Sequence, residues 1–299
     1  MINIYEQVDR NKRRSIVVMV LFVVFITLFV WIIAKLLGYG PSVIGIALIF
    51  SGLLSFGSYW WSDKIILSIS GARPAQRNKD FNFFTVAENL AMAARVPKPK
   101  LYVIDSPALN AFATGRDPKH AVICVTSGLL EKLNRTELEG VVAHELSHVK
   151  NYDTRLMSIV TILVGMVVLM GDFFIRRSFF GGSRNRQSGN FGAIMLVVGI
   201  IVALLSPLIA KLIQLAISRR REFLADASAV LVTKFPPGLI NALDKISKDN
   251  HHLRTATKAT ENLFIMNPFK GKQSKRWLTG LFNTHPPVEE RINALKGMS

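Results

Sequence analysis

The sequence predicts a mainly α-helical integral membrane protein with a small β-sheet, and three observations lead there. Apolar residues fill 50% of the 299 positions and mean hydropathy is +0.32, with the excess gathered into four blocks. Residues 136–150 repeat apolar side chains at helical spacing around two histidines and a glutamate. Two short runs, 101–104 and 120–125, are rich in β-branched residues and bounded by Pro, Gly and Asp, as strands of a small sheet are.

Taken in chain order, the first block, residues 16–37, is almost uninterrupted, and the second, 43–61, ends in Tyr59-Trp60-Trp61, an interfacial aromatic anchor. Both read as membrane spans. The first is too long for a signal-peptide core and no small-residue cleavage site follows it, so it reads as retained. Arg10, Lys12, Arg13 and Arg14 precede it, whereas residues 38–42 carry no charge, so the N-terminus is expected in the cytoplasm. Residues 1–61 therefore form an N-terminal hairpin, and the part from 62 to 155 lies on the cytoplasmic side.

Within that part, residues 81–96 have apolar side chains at helical spacing and are stopped by Pro97-Lys98-Pro99. Residues 106–115, between the two strands, read as a loop or edge segment. The single cysteine, Cys124, sits in the second strand, where it reads as a small buried residue. One cysteine allows no intrachain disulfide and fits a reducing compartment.

The third block, about 157–175, contains Ser158, Thr161 and Asp172, and the fourth, 191–217, contains Pro207, Lys211 and Gln214. Both are long enough to span. Between them lie Arg176, Arg177, Arg184 and Arg186, which disfavour translocation. Residues 156–217 thus either cross against that tendency or form a hairpin that stays embedded or packs on protein. The chain then returns to the cytoplasm for 218–299, with helices expected at 223–233 and 239–248 and a basic, mobile stretch at 270–276. The formal net charge of +17 fits a surface beside anionic headgroups. Its basic residues are dispersed and belong to no nucleic-acid module, so nucleic acid is not expected as a partner.

The chemistry concentrates in His144-Glu145-Leu146-Ser147-His148. On a helix, positions four apart share a face, so both imidazoles can reach one ion. Zinc hydrolysis needs neutral nitrogen ligands, a carboxylate base and an open coordination position, and the pentad lacks only the third ligand. Thr136-Glu137-Leu138-Glu139 reads as the capping box of this helix, and Leu138, Val141, Val142, Leu146 and Val149 form its apolar stripe. The pentad points to a metalloprotease with Glu145 as its base.

Glu222 is the best third ligand. It follows the fourth block directly while the pentad precedes the third, so an antiparallel hairpin brings positions 148 and 222 to one end. The competing reading pairs Glu222 with Arg219, Arg220 or Arg221. Asp226, one turn later, suits a hydrogen bond from the distal N–H of a zinc-bound imidazole. His120, His251 and His252 read as surface residues without a carboxylate at useful spacing.

Together with Arg221-Glu222-Phe223-Leu224-Ala225-Asp226, Asn110-Ala111-Phe112-Ala113-Thr114-Gly115 and Thr284-His285-Pro286-Pro287, the pentad resembles the HtpX membrane proteases over nearly the whole chain. The resemblance implies one Zn2+ per chain on His144, His148 and Glu222, and a thermolysin-like (gluzincin) peptidase core fused to about four transmembrane helices. It implies an ATP-independent endopeptidase of a bacterial inner membrane, active in stress and quality control on misfolded or damaged membrane proteins, with its site facing the cytoplasm. Under it, His285 becomes a transition-state stabiliser supported by Arg291, and Asn110 and Ala111 belong to an edge that aligns substrate as an added strand. The different-class alternative is a membrane scaffold or transporter with a structural zinc site, worked by Asp172, Lys211 and Gln214.

Overall fold

The structure is a computed structural model and describes residues 4–36, 38–180, 219–257, 260–268 and 286–298. The fourth apolar block, the arginine loop beyond Phe180, the stretch 270–276 and His285 lie outside the described residues.

Two long apolar helices open the chain, α1 (Ile4–Leu36) and α2 (Ser42–Trp60). Spans of Val8–Ile32 and Ser42–Trp60 are long and apolar enough to cross a membrane. Ile16, Val20, Leu21 and Val24 of α1 and Ile46, Ile49, Phe50 and Leu53 of α2 are exposed, an outward apolar surface suited to lipid. The buried face of α2 is made of Ala47, Ser51, Ser55 and Ser58, small residues that let helices approach closely. The third block belongs to α7 (Asp153–Phe180). Among the described residues, a third candidate span arises only if the preceding helix, α6 (Arg135–Lys150), is joined to α7 across an 82° bend. Because α6 is buried in the protein core, α7 leaves that core as a separate helix.

A short helix, α3 (Ser62–Ile69), leads into a four-stranded sheet in the order β1-β2-β4-β3, with β1 Arg73–Pro74, β2 Lys100–Ile104, β3 Ala111–Thr114 and β4 Val122–Thr126. The pair β2/β4 is parallel and the outer pairs are antiparallel. The segment expected to be loop or edge is thus an edge strand. Cys124 is fully buried on β4, which runs into a short helix, α5 (Ser127–Lys132). The helix expected at 81–96 is α4 (Phe81–Ala94), closed by Arg95 in the left-handed conformation.

On one side of the sheet, Phe83, Val86 and Leu90 of α4 meet Leu138, Val141, Val142, Leu146 and Val149 of α6, all buried. The apolar stripe expected for α6 is therefore its core face. The opposite side packs Phe112 and Cys124 against Ile66, Met157, Leu263 and Phe264. After the undescribed segment, α8 (Arg219–Thr233) and α9 (Pro236–Lys248) pack on α6. Pro236 and Pro237 sit inside the first turn of α9 rather than between helices, where a missing N–H costs nothing. Gly140 lets α9 approach: a Cβ there would lie 2.7 Å from the Leu239 backbone. The last helix is α10 (Val288–Lys296).

The start of α6 differs from expectation. Asn134, not Thr136, is its cap: the Asn134 side chain accepts from the Glu137 N–H, and Glu137 accepts from the Asn134 N–H. Two overlapping patterns, Asn134/Glu137 and Thr136/Glu139, compete. Glu137 wins because it is buried and held by Lys245 at 2.7 Å, whereas Glu139 is paired along the helix surface with Arg135.

Candidate metal centre

The pentad lies in the last turns of α6, whose length is set by its capping box at one end and a sharp corner at the other. At that corner Tyr152 adopts a left-handed φ of 59°, which turns the chain into α7. His144, Glu145 and His148 are all buried. The imidazole Nε2 atoms of His144 and His148 face each other at 3.2 Å. Glu222, in the first turn of α8, completes the group: its Oε1 lies 3.5 Å from His148 Nε2 and its Oε2 3.9 Å from His144 Nε2. One donor atom from each residue falls within 4.8 Å of the others, so the three could hold a metal ion.

The far side of each ring is fixed. His144 Nδ1 is 2.9 Å from Asp226 Oδ1, and His148 Nδ1 is 3.1 Å from Asp153 Oδ2. Carboxylates on both Nδ1 atoms leave both Nε2 lone pairs for an ion. Burial lowers the pKa of His144, whereas for His148 burial is outweighed by the Asp153 hydrogen bond and the Glu222 charge, which push it up to about 9. Two imidazoles plus one carboxylate is the donor set of a catalytic zinc site with an open position.

Glu145 stands beside these groups without belonging to them. Burial, reinforced by the Glu222 charge, pushes its carboxyl up to about 7 against His148, Arg291 and the Ala113 N–H that hydrogen-bonds to it. Such a group exchanges protons near neutrality.

Arg291 is fully buried and grips Asp226 with both arms, Nη2–Oδ1 at 2.6 Å and Nε–Oδ2 at 2.8 Å. Its Nη1 reaches Glu222 Oε2 at 3.8 Å. Against the burial cost, Arg291 holds the Asp226 carboxyl down to about 2. The expected partner of Arg291, His285, lies outside the described residues. Arg221 pairs with Asp153 at 3.1 Å, and Arg219 and Arg220 are exposed.

Ala111 opens the edge strand and Asn110 immediately precedes it, and that edge is partly occupied. Ala111 O accepts from Ile265 N at 2.9 Å, and Asn110 Nδ2 donates to Met266 O at 3.0 Å. His120, His251 and His252 are exposed as expected, but two have carboxylates: Asp117 lies 2.8 Å from His120, and Asp249 lies 2.6 Å from His251. Asp117 stands three positions before His120 and caps the single turn Pro118–His120, and Asp249 stands two before His251, so both carboxylates are close enough in sequence to be legible there. Asp153 is the residue the sequence reading missed. It sits five positions after His148 across the corner, where no helical periodicity applies.

A buried two-histidine, one-glutamate cluster beside an unligated glutamate, built on a protein with apolar helices long enough to cross a bilayer, defines a membrane metallopeptidase. Residues 78–299 match peptidase family M48. The chain is 43% identical over 299 residues to a "Protease HtpX homolog" of Caldanaerobacter subterraneus subsp. tengcongensis, covering 99% of this chain and 98% of that one. It is 41% identical to a protein of the same description from Dictyoglomus thermophilum, covering 98% and 94%. The crystal structure of S. mikatae Ste24p aligns with a TM-score of 0.49 and 20% identity, covering 91% of this chain and 62% of that one. The chain belongs to peptidase family M48, among the HtpX proteases, and is a membrane metalloprotease.

Proposed function

We propose that the protein is a zinc endopeptidase that cleaves unfolded or damaged membrane polypeptides at the cytoplasmic face of a bacterial inner membrane. The observation that carries this reading is the opposed pair of Nε2 atoms with Glu222, each imidazole backed by its own carboxylate. His144, His148 and Glu222 would hold zinc, with Asp226 orienting His144. The bound ion would supply polarisation of a water and of the scissile carbonyl. Glu145, poised near neutrality by burial, takes the proton from water and passes it to the departing amine. His285, which the HtpX resemblance assigns to the developing oxyanion, would act with Arg291 in support.

A substrate strand aligned by Asn110 and Ala111 would take the Ala111 carbonyl from Ile265, since the two compete for one acceptor edge. Orientation is supported by the packing of the first hairpin. Asn11, near the start of α1, bonds to Asp153, and Trp60 at the end of α2 accepts from Arg116 at 3.2 Å, so both ends of the hairpin meet the catalytic part. The proposed organisation is an N-terminal hairpin at 1–61, catalytic parts at 62–155 and 218–299, and a second hairpin at 156–217 that completes about four spans around a thermolysin-like core.

Metal analysis of the purified full chain, with cleavage of an unfolded membrane protein, tests the reading. About one zinc per chain, lost in His148→Ala together with cleavage, is expected. Full zinc in His148→Ala, or cleavage without metal, would reject it.

A further inference from the structure

The buried face of α1 runs through Asn11, Ser15, Val18, Phe22, Ile26 and Phe29, at spacings of three and four. The upper part is apolar and packs on Leu156, Ile159, Val160 and Leu163 of α7. Its lower end turns polar among charged, solvent-facing neighbours, and Asn11 is only 1% exposed. A buried amide this close to water is retained by its bonds, and its bonds lead to the metal centre.

Asn11 Nδ2 donates to Asp153 Oδ1 at 2.7 Å and to the Asn151 carbonyl at 2.9 Å. Arg221 donates to the same Asp153 oxygen at 3.1 Å and to Asn11 Oδ1 at 3.4 Å. The other Asp153 oxygen, Oδ2, holds His148 Nδ1. Asn11 therefore fixes both the rotation of this carboxylate and the backbone of the corner that carries it. The corner is strained, with Tyr152 left-handed and its ring beneath Lys12 at 4.7 Å, so α1 clamps it from two successive residues.

We propose that Asn11, on the first membrane helix, is a positioning residue for the metal ligand His148, acting through Asp153, so that docking of the N-terminal anchor sets the affinity of the metal centre. The proposal rests on the zinc reading above. Groups behind a ligating imidazole typically change metal affinity 10- to 100-fold. One further bond away, the isosteric Asn11→Asp removes the donor and sets an acceptor against Asp153 Oδ1, so it should harm the centre more than Asn11→Ala, although it preserves volume. A role in packing alone predicts the reverse order.

The test uses the full chain in detergent, loaded with zinc for chelator competition and with cobalt for visible absorption, alongside Ser15→Ala and His148→Ala. Expected are a zinc affinity lowered about 10-fold or more in Asn11→Asp and less in Asn11→Ala, shifted cobalt bands in both, and wild-type values in Ser15→Ala. Unchanged affinity and bands in both Asn11 variants, with His148→Ala losing metal, would overturn the proposal and leave the zinc reading standing. Full metal binding by His148→Ala would overturn both. Should Asn11→Asp not accumulate, Asn11→Ala decides by its cobalt bands.

Discussion

Replacing Arg291 by Met keeps most of the side-chain volume and removes the guanidinium that holds Asp226. The cost follows from burial. Exposed ion pairs contribute about 0–1 kcal/mol, whereas breaking a buried pair leaves an uncompensated charge and costs about 3–5 kcal/mol. Here the two side chains are 0% and 2% exposed, so the second case applies. The Asp226 carboxyl points the same way: Arg291 first, and then His144, hold it down to about 2 against the cost of burial. Removing Arg291 takes away the larger of these favourable contributions and leaves the burial cost. Urea unfolding of the metal-free full chain in detergent, followed by pulse proteolysis, measures it, and Asp226→Asn with the double variant closes the cycle. A loss below about 1 kcal/mol, or additive single effects, would refute the buried-pair account.

Three further outcomes follow from the same contacts. Glu222→Ala should abolish tight zinc binding, whereas Asp226→Ala should weaken it about 10- to 100-fold, as chelator competition would report; the reverse order would reject the ligand assignment. Because the Asp226 pKa is depressed, its contribution to stability is complete above about pH 4 and lost as pH falls toward 2. Unfolding of the metal-free chain across that window should steepen in the wild type and flatten in Asp226→Asn, and equal slopes would contradict the assignment. In intact cells, Tyr39→Cys should react with an impermeant thiol reagent while Gln76→Cys and Asn250→Cys stay protected; the native Cys124 is fully buried and gives little background. External labelling at 76 or 250 would reverse the proposed orientation.

How much of this could be read from the sequence depended on whether a residue's role is local. The pentad, its apolar stripe and the two N-terminal spans follow from spacing along one helix, and α6, α1 and α2 have those residues in those places. Chain direction points to position 222, and in the structure Glu222 Oε1 lies 3.5 Å from His148 Nε2. What escaped was tertiary. Asn134 displaced Thr136 as the cap because Lys245, on another helix, fixes Glu137. Asp153 and Asn11 carry no periodic signature, since one lies past a corner and the other at the polar foot of an apolar stripe. Even so, Asn11 and Ser15 continue the three-four spacing of Val18 and Phe22, and that continuation was a signal available in the sequence.

Glu145→Gln tests the central claim most directly, because it is nearly isosteric and removes only the base. The full-length variant should retain about one zinc per chain with unchanged affinity, and lose nearly all cleavage of an unfolded membrane protein that the wild type degrades under the same conditions. Cleavage by Glu145→Gln at a rate near that of the wild type, with zinc in place, would contradict the assignment of Glu145 as the proton-transferring group of this protease.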